Sequence, residues 1–232
     1  MGSPLDNPAW SALTGPHARF AESYGQVLRY SDDVAPFVAL PDNPGEDVWT
    51  GIAALSQPGS VIVIPTSESL IPPPGWEILR RIEGVQLVDA GIEAAEDAEA
   101  VRLGPTDVPE MLDLVARTEP GPFRKRTVEL GTYLGIRRDG ALAAMAGERM
   151  RMPGWTEISA VCTDPAYRGR GLGTRLIRAV AAGIRARGET PMLHAAADNT
   201  SAVQLYYSLG FELRRHIEFL VLRVTGNTAA TS

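Results

Sequence analysis

Residues 168–174 read Arg-Gly-Arg-Gly-Leu-Gly-Thr and run straight into Leu172, Leu176, Val180 and Ile184, apolar residues at steps of four. That spacing predicts an amphipathic helix over Gly171–Arg187, stopped by Gly188, and the β-rich run Trp155–Cys162 ahead of it predicts a strand. A strand, a glycine-opened turn and a helix in this order form a unit whose geometry is restricted. The glycines let the backbone come close to a ligand, and the first unpaired N–H groups of the helix point at whatever stands before it. Residues 165–188 also hold six arginines (Arg168, Arg170, Arg175, Arg178, Arg185 and Arg187) and no acidic residue. Side-chain charge and helix dipole therefore favour the same ligand, one carrying a pyrophosphate.

Elements on either side are legible from Ala100 onward. Val101–Leu103 reads as a strand, and Thr106-Asp107 caps a helix over Val108–Arg117 with Met111, Leu114 and Val115 on one face. A short helix is expected near Arg126–Leu130. Tyr133–Arg137 and Ala141–Met150 flank Asp139-Gly140, a strong hairpin signal, and Pro153-Gly154 makes a second turn, so three antiparallel strands run in sequence. Met192–Ala195 reads as a strand, Asn199–Leu209 as a helix closed by Gly210, and Ile217–Val224 as a last strand. Before Ala98 the chain is rich in proline and acid, with Val61–Ile64 and Val85–Val88 as strands, Trp49–Leu55 as a short helix and no motif with chemistry. Gly91–Glu99 reads as a linker, which divides the chain into an N-terminal unit (1–98), a second unit (99–225) and a flexible tail (226–232).

The net charge of −6 conceals a division: residues 1–122 carry −13 and residues 123–232 carry +7. The acidic first half disfavours nucleic acid as a partner and predicts cationic acceptors. Cys162 is the only cysteine, so no intrachain disulfide forms and multi-cysteine metal sites are excluded. No apolar run approaches a membrane span and no leader pattern stands at Met1–Trp10, which predicts a cytoplasmic protein without membrane association.

A dinucleotide fold needs a third glycine where Thr174 stands and a shorter step from strand to Gly169, and a nucleoside-triphosphate loop needs Gly-Lys-Ser/Thr, which is absent. Arg168-x-x-Gly171-x-Gly173, led in by Val161-x-x-Asp164-Pro165, instead resembles the signature of the GNAT superfamily, the GCN-five-related N-acetyltransferases. A second motif of that family stands as Asn199, Ala202, Leu205, Tyr206, Gly210 and Phe211. The resemblance covers about residues 100–224. It implies an α+β fold with a mixed, mostly antiparallel sheet flanked by helices and splayed at its middle, preceded here by a smaller α/β unit that is either an accessory cap or a degenerate GNAT-like copy. It also implies acetyl-CoA as co-substrate: amides and side chains of Arg168, Gly169, Arg170, Gly171, Leu172, Gly173 and Thr174 at the pyrophosphate, backbone of Val161 and Thr163 along the pantetheine arm, Asn199 touching that arm, and Tyr206 protonating the departing thiolate.

An amine must lose its proton before it attacks a thioester. Glu157 lies eleven residues before Arg168, where the histone-acetylating branch of the family has what looks like its base. Strict alternation places Glu157, Ser159 and Val161 on one strand face, and burial beside the acyl group is expected to raise the carboxyl toward the working pH. Glu148 is the competing base. The Val161 amide is the candidate oxyanion donor. Cys162 reads as a core residue before a nucleophile, and His194 and His216 as structural, with no metal expected. The implied activity is acetyl transfer from acetyl-CoA to a primary amine on a small molecule or a peptide; the alternative is a non-catalytic acetyl-CoA sensor or assembly module.

Overall fold

A computed structural model describes residues 2–67 and 69–225; the expected tail at 226–232 lies outside the described residues. The elements in chain order are α1 (Pro8–Leu13), β1 (Ala21–Tyr24), β2 (Val27–Tyr30), β3 (Val38–Ala39), α2 (Val48–Leu55), β4 (Val61–Thr66), β5 (Glu77–Asp89), β6 (Val101–Leu103), α3 (Val108–Thr118), β7 (Tyr133–Arg138), β8 (Ala141–Met152), β9 (Trp155–Thr163), α4 (Leu172–Ala186), β10 (Thr190–Ala196), α5 (Thr200–Ser208) and β11 (Phe211–Arg223). Strands β1–β3 form a small antiparallel sheet. The other eight make one sheet in the order β4-β11-β5-β10-β9-β8-β7-β6, antiparallel except at β9–β10. The α+β fold class and the mixed, mostly antiparallel sheet are as expected.

Local chemistry explains the central hairpins. Asp139 and Gly140 both have positive φ, 51° and 81°, the backbone a two-residue turn between twisted strands requires. On β8, Ala144 and Ala146 pack under α4, where Leu172, Leu176, Val180 and Ile184 are all buried, while Met145 between them packs with Met111 and Leu114 of α3. The two helices thus cover opposite faces of the sheet.

The N-terminal segment enters this sheet. β5 is thirteen residues long, not the four-residue run Val85–Val88, and it lies between β10 and β11. Its outer half was hidden from hydropathy because the exposed charges Arg80, Arg81 and Glu83 interrupt the apolar pattern. β11 likewise starts at Phe211, six residues before the apolar run at Ile217, because Glu212, Arg214 and Arg215 occupy its first turn of pairing. A boundary at 98/99 therefore falls inside a single sheet.

The acidic stretch 89–99 is irregular yet fastened. Asp89 pairs with Arg185, Glu93 with Arg178, and Asp97 and Glu99 with Arg175, so the linker lies along the basic face of α4. Asp6, Asp32 and Asp33 similarly meet Arg214, Arg124 and Arg126. Much of the charge division is thus internal neutralisation.

Candidate functional site

β9 and β10 pair over three residues only, Thr190↔Trp155, Pro191↔Thr156 and Met192↔Glu157. Past Glu157 the strands diverge: Ser159–Thr163 keep to β8 and Leu193–Ala196 keep to β5. A β-bulge sharpens the fork. Ala160 holds φ 51°, and Ala160 and Val161 together face a single residue of β8 between the pairs Gly147↔Ser159 and Met145↔Cys162. Such backbone in a non-glycine residue is strained by about 1–3 kcal/mol and collects at functional sites. The bulge also breaks alternation: Ile158 and Val161, three apart, both pack toward α4, so Val161 does not share the face of Glu157.

The fork opens a cavity of about 810 Å³. Val161, Thr163, Ala195, Asn199 and Tyr206 line one end; Phe37, Val63, Ile82, Arg149 and Phe219 line the other. At the first end, the front turn of α4 stands over the close of β9, since a Cβ on Gly173 would touch Thr163 and Val161. Gly169 and Gly171 have φ 75° and 73°, and nothing lies within 4 Å of where their Cβ atoms would be. Gly171 caps α4 without a side chain, and the first turn holds no acid, so its amides are left to an anion. Of the six arginines, Arg175, Arg178, Arg185 and Arg187 are taken by carboxylates. Among the described residues only Arg168 and Arg170 of the six have no acidic partner; Arg170 lies over the Tyr167 ring at 5.1 Å. The pyrophosphate would be met by two guanidiniums, not six. Open amides, room at both glycines and a slot between strands fit coenzyme A.

Asn199 spends its carbonyl oxygen on the Ala202 amide at 3.2 Å, capping α5 while lining the cavity. Tyr206 packs edge-on to Phe211, and burial pushes its phenol up to about 12, so it stays protonated.

At the other end Glu157 is 0% exposed. Arg149 Nε and Nη2 donate to its two oxygens at 2.9 and 2.6 Å, and His194 Nδ1 donates to Oε1 at 2.8 Å. The expected rise in its proton affinity does not occur: burial does push the carboxyl up, but the Arg149 charge and hydrogen bonds, with those of His194, outweigh it and hold it well below the usual range. Two contacts of Gln86 settle the tautomer of His194. Gln86 Oε1 accepts from Arg214 at 2.8 Å and its Nε2 donates to Leu5 O at 2.9 Å, which leaves an N–H for His194 Nε2 at 3.1 Å. His194 thus carries its proton on Nδ1, and its lone pair is occupied.

Glu148 is buried on the α4 side of the sheet and pairs with Arg187 at 3.0 Å, away from the cavity. Burial pushes Cys162 up to about 11, which suits a core thiol and not a nucleophile. His216 is exposed on β11. Among the described residues no group of three His, Cys, Asp or Glu side chains can hold a metal, and no helix is long and apolar enough to cross a membrane. Arg149 and Phe37, whose ring lies 4.8 Å from the guanidinium carbon, were missed in the sequence. A Glu-Arg pair inside the apolar run Ala141–Met152 was the available signal, because buried charges require partners.

Residues 133–220 match the family model described as FR47-like protein. N-alpha-acetyltransferase RimI of Mycobacterium tuberculosis is 40% identical over 105 residues, 43% of this chain and 63% of that protein. An uncharacterized protein of Mycobacterium leprae is 27% identical over 212 residues, 79% of this chain and 58% of that one. The chain thus spans less than two thirds of either curated relative. A crystal structure from Novosphingobium aromaticivorans, assigned to the GNAT family, superposes with a TM-score of 0.89 at 42% identity, covering 97% of this chain and all of that one, 100%. A GCN5-related N-acetyltransferase from Kribbella flavida shares the fold, with a TM-score of 0.62 at 17% identity over 94% of each chain.

Proposed function

The chain belongs to the GNAT family of acetyltransferases, and from that premise we propose that it moves an acetyl group from acetyl-CoA to the α-amino group of an acceptor. The observation that carries this reading is the convergence of an uncapped, glycine-opened α4 and the β9–β10 fork on one cavity. Acetyl-CoA supplies the activated acetyl thioester. Amides of residues 169–174 with Arg168 and Arg170 hold its diphosphate, and backbone groups of Val161 and Thr163, with Asn199, hold the pantetheine arm. Val161, left out of the β8 ladder by the bulge, offers its N–H to the carbonyl oxygen as charge builds there. Tyr206 gives its phenol proton to the departing sulfur and is restored through water by the proton the amine loses.

The α-amino class follows from what the cavity lacks. Glu157 is held ionised by Arg149 and His194, and the lone pair of His194 is used by Gln86. Neither Glu157 nor His194 is free to take the amine proton, and the two other acids lining the cavity, Glu119 and Asp198, are exposed to solvent, so a nucleophile that arrives neutral is favoured. At pH 7.5 roughly 25% of an α-amine with pKa near 8 is neutral, against about 0.1% of a lysine amine. The name of the Mycobacterium tuberculosis relative, an N-alpha-acetyltransferase, agrees with this choice. Glu157 then acts as a positioning residue for Arg149 and His194.

Release of free CoA should be followed with a peptide bearing a free N-terminus and with the same peptide N-blocked but carrying lysine. The first is expected to react about a hundredfold faster at pH 7.5, with the rate rising as the amine deprotonates. Equal rates on both would discard the α-amine reading, and binding of acetyl-CoA without any release would favour a sensor. Tyr206→Phe is expected to lower kcat about a hundredfold while leaving acetyl-CoA affinity within about twofold; an unchanged kcat removes Tyr206 from the mechanism.

A further inference from the structure

The acceptor end of the cavity has a floor made by three adjacent strands. Arg80 on β5 stands opposite Val221 on β11, which stands opposite Val63 on β4. Two residues inward Ile82 faces Phe219; two further Gly84 faces Ile217. A Cβ on Gly84 would come within 2.9 Å of the Phe219 ring, so that ring lies across the strand, and its other neighbour is His194 at 5.9 Å, edge to face. A continuous track therefore runs from Arg80 at the mouth, over Ile82 and Phe219, to His194 and the Arg149–Glu157 pair. Gln86, the β5 partner of His194, is six residues from Arg80, about 20 Å at the rise of a strand.

Charge at the mouth is uneven. Arg81 pairs with Glu218, Arg223 with Glu77, and Arg124 with Asp32. Arg80 lines the cavity and, among the described residues, has no hydrogen-bonded or ionic partner. An apolar track ending in an unanswered guanidinium fits an extended molecule with its anion far from its amine, which an isolated amino acid cannot supply. The cationic acceptors suggested by the acidic first half are not what Arg80 offers, and Asp32, Asp33, Asp89 and Asp97 of that half already face arginines.

We propose that the acceptor is an extended peptide N-terminus, apolar beside the reacting amine and carrying an acidic side chain at about its third to fifth residue that is held by Arg80. This rests on the α-amino transfer proposed above. An extended chain covers about 3.3–3.6 Å per residue, which with the reach of the arginine side chain sets that position.

The test uses the whole protein, acetyl-CoA and heptapeptides beginning Ala-Val that differ only by Glu, Gln or Lys at the fourth position. kcat/KM is expected to favour Glu over Lys by roughly five- to tenfold, as for an exposed ion pair replaced by repulsion, with Gln between them. Arg80→Ala should bring the three within about twofold and Arg80→Glu should invert their order, both with unchanged acetyl-CoA affinity. Equal use of the three peptides by the unaltered protein, or an order that survives Arg80→Ala, overturns the proposal. So does acetylation of small amines with none of the peptides, an outcome that leaves acetyl transfer standing; failure to bind acetyl-CoA removes both.

Discussion

Deleting residues 1–98 is expected to leave a chain that does not fold, measured as the loss of a cooperative thermal transition by circular dichroism. The deletion takes β5 out of the middle of the sheet, where it pairs with β10 on one side and β11 on the other. It also uncovers apolar side chains that the first forty residues bury, Met150, Met152 and Met192 among them, against Phe37, Tyr30 and Leu13. Val85 and Leu87 alone account for about 3–6 kcal/mol of burial at roughly 1.5–3 kcal/mol each, a large share of the 5–15 kcal/mol that keeps a typical domain folded. A soluble fragment 99–232 with its own sharp transition would show that the N-terminal segment is an appendage after all.

Glu157→Gln is expected to destabilise the protein by about 3–5 kcal/mol at neutral pH, because it leaves the Arg149 guanidinium buried without its counter-ion. Arg149→Met should do comparable harm from the other side. The double replacement Arg149→Met with Glu157→Leu is expected to recover most of the loss, since an apolar pair of similar volume needs no compensating charge. Acid supplies a second signature. The carboxyl titrates below its ordinary 4.5 in the folded chain, so its ionised form stabilises the fold above about pH 4.5, and that contribution fades as the pH falls from there toward the folded value. The stability gap between the unaltered protein and Glu157→Gln in urea unfolding should therefore narrow steadily as the pH falls from about 4.5 to 3. A gap that stays constant from pH 7 to 3, or a double variant no better than the singles, would mean the pair does not carry this energy.

What the sequence disclosed and what it withheld divide along the range of the interactions. The hairpin at Asp139-Gly140, the helix behind Gly171 and the helix closed by Gly210 were legible because each is written within a few adjacent residues. Glu157 was found by its distance from Arg168. Its partners were not, because Arg149 and His194 reach it from two other strands, through ladders with register shifts between Met145 and Gly147 and between Glu148 and Arg151. Ala160 gave no warning of its positive φ, a conformation alanine seldom marks. The charge division was visible, but its meaning was topological: acids at 89–99 meet the arginines of α4, some 80 to 100 residues on, as Asp97 meets Arg175 and Asp89 meets Arg185.

The strand order sets a timetable for folding. β4 and β5 leave the ribosome early, yet they do not pair with each other; the slot between them is filled by β11, the last strand described. Their backbone amides and apolar side chains wait through more than a hundred residues of synthesis for a partner, and pairings so distant in the chain form slowly. A nascent chain interrupted between Asp89 and Phe211 thus presents two unsatisfied strand edges facing an empty lane, and this is the form a chaperone or protease will meet first.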